Sequence, residues 1–134
     1  MSIEPKHEKV ILVVDDMSCN RSVVKFLIET NTDFKVISSE NGMDAVTVFM
    51  SRPVSMILMD IEMPVMNGYT ATRIIRNLRA GAGIPIIAIT ANDQDSDTRR
   101  CLNAGCTEYL SKPIDRNRLL DVIHRHLETS VLAE

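Results

Sequence analysis

The sequence is short of cysteine and of long apolar runs. Its three cysteines, Cys19, Cys101 and Cys106, are odd in number and include no CxxC pair. That argues against a disulfide framework and against a zinc site, and points to a reducing compartment, the cytoplasm. No stretch approaches the roughly 20 apolar residues that span a bilayer, and the polar segment Ser2 to Lys9 lacks the apolar centre of a signal peptide. A soluble, unexported chain is expected. Charge of one sign is missing too: 15 basic residues against 18 acidic ones leave a net charge of -3, too small to suggest a nucleic-acid or membrane surface. Neither GxGxxG nor GxxxxGK followed by Ser or Thr occurs, so no glycine-rich loop is offered to a nucleotide phosphate. Repeats and low-complexity tracts are also absent.

What is present is the make-up of one soluble domain: 134 residues, 45% hydrophobic and 25% charged. Val10 to Val14 is a continuous apolar run ending in two acids, the pattern of a strand buried on both faces of a parallel sheet. Similar runs recur at Lys35 to Ile37, Met56 to Met59, Ile84 to Ile89 and, shorter, Tyr109 to Leu110. Segments with helical spacing lie between them. Val23, Val24, Leu27 and Ile28 form one apolar stripe, Ala45, Val46, Phe49 and Met50 a second, and Ala71, Ile74, Ile75 and Leu78 a third. Asp95 to Ala104 makes a fourth helix. Asp115 to Leu127 makes a fifth, with Leu119, Leu120, Ile123 and Leu127 on one side and Asp115 available as its cap. Gly42 and Gly68 stand near helix starts; Gly81, Gly83 and Gly105 follow helical stretches, where positive φ is often needed.

Strict alternation of strand and helix selects an α/β fold, a doubly wound, five-stranded parallel sheet with helices on both faces. In such a sheet ligands bind outside the carboxyl ends of the strands, where the strand order reverses. Those ends carry Asp15 and Asp16 on the first strand, Asp60 on the third, Thr90 on the fourth, and Lys112 after Ser111 on the fifth. Three carboxylates crowded at the rim of a sheet repel unless they share a cation. Their oxygens suit magnesium, which keeps several waters and is usually held by one or two carboxylates together with phosphate oxygens. A lysine and a threonine hydroxyl are what a phosphoryl ligand needs to offset its charge. A carboxylate can be the nucleophile, giving an aspartyl phosphate, and Asp60, standing alone, is the candidate. Taken singly, each piece has an ordinary explanation: an Asp-Asp pair caps helices, a strand-end threonine bonds backbone, and a lysine before proline is solvated. The signal is the order of acidic pair, acid, hydroxyl and lysine, skipping the second strand, which belongs at the sheet edge.

The motifs ILVVDD, LMDIEMPVMNGYTATRIIR, IIAITAN and EYLSKPI, in this order from about Lys9 to Leu127, resemble the receiver domain of response regulators and hybrid histidine kinases. The resemblance implies a flavodoxin-like (βα)5 fold with strand order 2-1-3-4-5 and a phosphoryl group accepted on Asp60. It implies metal ligation by Asp15, Asp16 and Asp60 with the backbone carbonyl of Glu62, the cation being Mg2+ or, in its place, Mn2+. It also implies phosphoryl contacts from Thr90 and Lys112, and a cis peptide between Lys112 and Pro113 that aims the lysine. Tyr109 matches an aromatic position that, in the family, rotates as the threonine moves; a half-buried strand tyrosine explains it equally well. Thr90 and Tyr109 would then bias a surface formed by the fourth helix, fifth strand and fifth helix, which a downstream protein reads. Glu62 and Asn92 occupy two positions that tune loss of the phosphoryl group in the family. The expected donor is the phosphohistidine of a histidine kinase or a histidine phosphotransfer domain. The wording MPVMNGYTATRIIR looks closer to receivers of hybrid kinases than to those preceding transcription-factor domains.

The division expected is a tail at 1–8, the receiver at 9–128 and a tail at 129–134, either free-standing or part of a hybrid kinase. His7 falls in the first tail. His124 and His126 lie on opposite flanks of the last helix as surface residues, and Met63 and Met66 serve packing. A metal-dependent phosphohydrolase with an aspartate nucleophile would carry DxD on its first strand, which this chain lacks. A receiver that only binds proteins, without phosphorylation, stays open as the alternative.

Overall fold

The structure, a computed structural model, describes residues 9–63, 65–91 and 95–127, the last from backbone alone over 95–97. Asn92 and both tails, with His7, lie outside the described residues. In chain order the elements are β1 (Val10–Val14), α1 (Ser18–Asn31), β2 (Lys35–Ser39), α2 (Gly42–Ser51), β3 (Met56–Asp60) and α3 (Gly68–Arg76). A short 3-10 turn (Arg79–Gly81), β4 (Ile86–Thr90), α4 (Asp95–Ala104), β5 (Glu108–Ser111) and α5 (Arg116–His126) complete them. All strand pairs are parallel and the order across the sheet is β2-β1-β3-β4-β5, as the family resemblance implied.

β1, β3 and β4 are buried along their whole length because helices cover both faces. Alternate residues of one strand therefore serve two separate cores. Leu12 and Val14 of β1 point with Ile57, Met59, Ile86 and Ala88 towards α2, α3 and α4, where Phe49, Ile75 and Cys101 meet them. Ile11 and Val13 point the other way, with Leu58, Ile87 and Ile89, to Val24 and Ile28 of α1 and Leu119 and Ile123 of α5. Three helices start on a side-chain cap that accepts an exposed backbone N–H: Asn41 from Asp44, Asn67 from Thr70, and Asp115 from Arg118 at 2.9 Å.

Some boundaries shift. The fourth strand starts at Ile86, not Ile84, because Pro85 has no N–H to give to a ladder and the Ile84 carbonyl accepts from the Arg76 guanidinium at 2.7 Å. β2 runs on to Ser39, since Ser38 and Ser39 pair with Val13 and Val14. β5 adds Glu108 and Ser111, which pair with Ile87 and Thr90. Leu78 falls outside α3, which stops at Arg76. Of Gly81, Gly83 and Gly105, Gly105 alone takes a positive φ, 112°, closing α4. Val65 also lies at positive φ, 71°, although it is β-branched and 81% exposed. Among the described residues no helix is long and apolar enough to cross a membrane.

Candidate functional site

The register of the sheet assembles the site. Val14 pairs with Met59, Asp60 with Ile89 and Thr90 with Ser111, so the carboxyl ends of β1, β3, β4 and β5 finish level. The chain passes from β1 outward to β2 and returns to β3 on the other side of β1, which opens a crevice at the ends of β1 and β3. There Asp15, Asp16 and Asp60 each bring a carboxylate oxygen within 4.8 Å of the others.

Asp60 is 1% exposed. Its Oδ1 accepts from the Lys112 ammonium at 3.1 Å and from the Glu62 backbone N–H at 3.2 Å. Its Oδ2 is buried with no hydrogen-bond partner among the described residues. Burial pushes the carboxyl up to about 6; the Lys112 contact and charge and the Glu62 N–H oppose this, and the Asp15 charge adds to it. Close packing maintains the burial, since a Cβ at Gly68, the first residue of α3, would sit 2.5 Å from the Asp60 carbonyl oxygen. Gly68 thus has a role that its place near a helix start only hinted at.

Asp15 is buried, and its oxygens accept three hydrogen bonds. Its Oδ1 accepts from the Met17 N–H at 2.9 Å, its Oδ2 from the Asn20 side chain at 3.3 Å, and its carbonyl from Arg21 at 2.7 Å. Asp16 is exposed at the mouth. An unpaired, desolvated carboxylate oxygen beside two further carboxylates is an all-oxygen donor set, and it fits a hard divalent cation such as magnesium.

Thr90, 2% exposed, donates its hydroxyl to Glu62 Oε2 at 3.1 Å. Next to it the Ala91 N–H points at Glu62 Oε1, 3.5 Å away. Lys112 reaches Asp60 from β5, whose end is tied to β4 by the Lys112 N–H on the Thr90 carbonyl at 2.8 Å. The Lys112–Pro113 peptide is cis. Burial lowers the lysine's proton affinity, but the Asp60 contact and the charges of Asp60, Asp15 and Glu62 more than restore it, so its pKa ends above the usual lysine range. Tyr109 is half-buried opposite Ala88 and packs against the core under α2 to α4. A cavity of about 440 Å3 opens between Asp15, Asn20 and Val23 on one side and Lys112, Pro113 and Ile114 on the other.

Asp15, Asp16, Asp60, Glu62, Thr90 and Lys112 are therefore neighbours, although they come from four strand ends. The carboxylate of Glu62 bridging to Thr90 and Ala91 was not foreseen; its only sequence signal is its place two residues after the buried acid. His124 is exposed, while His126 is half-buried with its Nε2 2.7 Å from Glu108. Met63 is buried and Met66 packs against the same core.

Residues 11–124 match the family model of the response regulator receiver domain, so the chain belongs to that family. It is 38% identical over 127 residues to the hybrid signal transduction protein dokA of Dictyostelium discoideum, covering 94% of this chain and 7% of that protein. Its fold matches the receiver domain of a sensor histidine kinase from Pseudomonas aeruginosa PAO1, solved with a magnesium ion in its active site cleft. There the TM-score is 0.82 at 36% identity, over 90% of this chain and 98% of that one. It also matches the receiver domain of a Saccharomyces cerevisiae response regulator crystallised with its histidine phosphotransfer protein, with a TM-score of 0.82 at 26% identity over 89% and 88% of the two chains. The chain is a receiver domain of two-component signalling.

Proposed function

We propose that this receiver takes a phosphoryl group from a phosphohistidine onto Asp60 in the cytoplasm. The observation that carries the reading is the state of Asp60: buried, one oxygen on Lys112, the other without a hydrogen-bond partner among the described residues, and its carboxylate within 4.8 Å of those of Asp15 and Asp16. A carboxylate oxygen attacks phosphorus, the P–N bond breaks, and the imidazole nitrogen leaves with the electron pair. Asp15, Asp16, Asp60 and the Glu62 carbonyl would hold Mg2+, for which Mn2+ could substitute. The cation would neutralise charge on the transferring group. Lys112 and Thr90 would receive the phosphoryl oxygens, and the chain would assist its own phosphorylation and dephosphorylation without being an enzyme acting on other substrates.

The donor is a histidine kinase or a histidine phosphotransfer domain, a reading supported by the relative crystallised with such a protein. Movement of Thr90 and Tyr109 would bias the α4-β5-α5 face read by a downstream protein, with a coupling of roughly 1 to 3 kcal/mol. Glu62 and Asn92 would set the lifetime. The receiver would span 9–128, between tails at 1–8 and 129–134, and the resemblance to hybrid kinases favours a place in such a protein. The test is intact mass after incubation with acetyl phosphate, for wild type and Asp60→Asn. A phosphate adduct that requires both magnesium and Asp60 is the expected result. A wild type that stays unmodified and binds no magnesium would leave a phosphorylation-independent binding module.

A further inference from the structure

Two hydrogen-bond donors beside Asp60, the Thr90 hydroxyl and the Ala91 N–H, converge on one anion, and that anion belongs to the protein. Glu62 Oε2 accepts from Thr90 at 3.1 Å, and Oε1 faces the Ala91 N–H at 3.5 Å. The two residues are 28 apart in sequence, so this is not a local turn contact. Lys112 already bonds Asp60. These three donors are thus each matched to a carboxylate.

We propose that the Glu62 carboxylate is a built-in stand-in for the phosphoryl group, occupying Thr90 and Ala91 until a phosphoryl group on Asp60 displaces it. This rests on the phosphoacceptor reading above and deepens it. Two anions cannot share the same pair of donors without strong repulsion. Phosphorylation therefore breaks the Glu62 contacts as it makes its own, and the net gain at Thr90 is smaller than a free hydroxyl would provide. Glu62 is exposed, so its hold is solvent-screened and releasable. In the unphosphorylated chain the same contacts tie the loop after β3 to the end of β4, keeping Thr90 in its resting place.

The test uses the full chain and beryllofluoride, a phosphoryl mimic, titrated in the presence of magnesium. Glu62→Gln should bind it roughly three- to tenfold more tightly than wild type, the weight of a screened charge-assisted hydrogen bond. Glu62→Asp keeps the charge but is one methylene too short to reach Thr90, and should shift in the same direction. In a Thr90→Ala background the gain from Glu62→Gln should shrink by half or more on a logarithmic scale. Tightening by Glu62→Gln with Glu62→Asp at the wild-type value would mean a charge effect only and overturn the proposal, as would an equal gain with and without Thr90. No binding to wild type, matching an Asp60→Asn control, would instead overturn the phosphoacceptor reading and this proposal with it.

Discussion

At neutral pH and without a divalent cation, Asp60 must hold an ionised carboxylate that is buried, with Oδ2 unpaired among the described residues. The Lys112 contact offsets only part of this, because the carboxyl is still raised from 3.8 to about 6. An acid whose folded pKa lies above its unfolded value binds its proton more tightly when folded. Its ionisation therefore costs no stability below about pH 3.8, an increasing amount between 3.8 and 6, and the full amount above 6. A rise of roughly two units corresponds to about 3 kcal/mol. Asp60→Asn, close in shape to the protonated acid and still able to accept from Lys112 and from the Glu62 N–H, should recover about 1 to 3 kcal/mol of it in EDTA at pH 7.5. For a chain of this size that raises Tm by roughly 4 to 12 °C. Thermal unfolding followed by circular dichroism at pH 7.5 and pH 4.5 would show it, with the advantage of the Asn variant narrowing at the lower pH. Magnesium should narrow it as well, by stabilising wild type alone. An Asn variant no more stable than wild type at pH 7.5 in EDTA would refute the reasoning, because burial would then not be acting against the charge.

Magnesium at about ten times its dissociation constant should stabilise wild type by roughly 1.4 kcal/mol, and the gain should be largely lost in Asp15→Asn and Asp16→Asn, as read by Tm with and without the cation. Arg76→Ala removes a guanidinium that bonds the carbonyls of Gly105, Gly81 and Ile84 and the Thr107 hydroxyl. Leaving these acceptors without their donor should cost about 2 to 4 kcal/mol in urea unfolding while magnesium affinity stays at the wild-type value. Val65, at φ 71°, should be improved by Val65→Asn, since asparagine tolerates this conformation; a gain of about 1 kcal/mol in chemical unfolding is expected.

Much of the fold was legible because it rests on local periodicity. Continuous apolar runs such as Val10–Val14 and Met56–Met59 mark strands covered on both faces, and Leu119 with Ile123 marks a helix side that must be covered. The strand ends of a parallel sheet lie at one edge, so naming Asp15, Asp16, Asp60, Thr90 and Lys112 in order was enough to propose that they meet. Asp115 was readable as a cap for the same reason: its partner, Arg118, is three residues away. Where a boundary moved, a longer-range bond had intervened, as when Arg76 took the carbonyl of Ile84 and the fourth strand began two residues later.

The sequence by itself determined the alternation, the two-sided core and the set of groups at the sheet edge, because each follows from residue type at short spacing. Only the tertiary structure decided the charge balance of the site: that Asp60 is buried with one oxygen paired and one not, and that Glu62 turns to Thr90 and Ala91. The same holds for Arg76, an ordinary arginine in the last turn of α3 until folding brings the α3–β4 and α4–β5 connections around its guanidinium. These features depend on desolvation and on contacts between residues as far as 52 apart in the chain, and no periodicity encodes either of them.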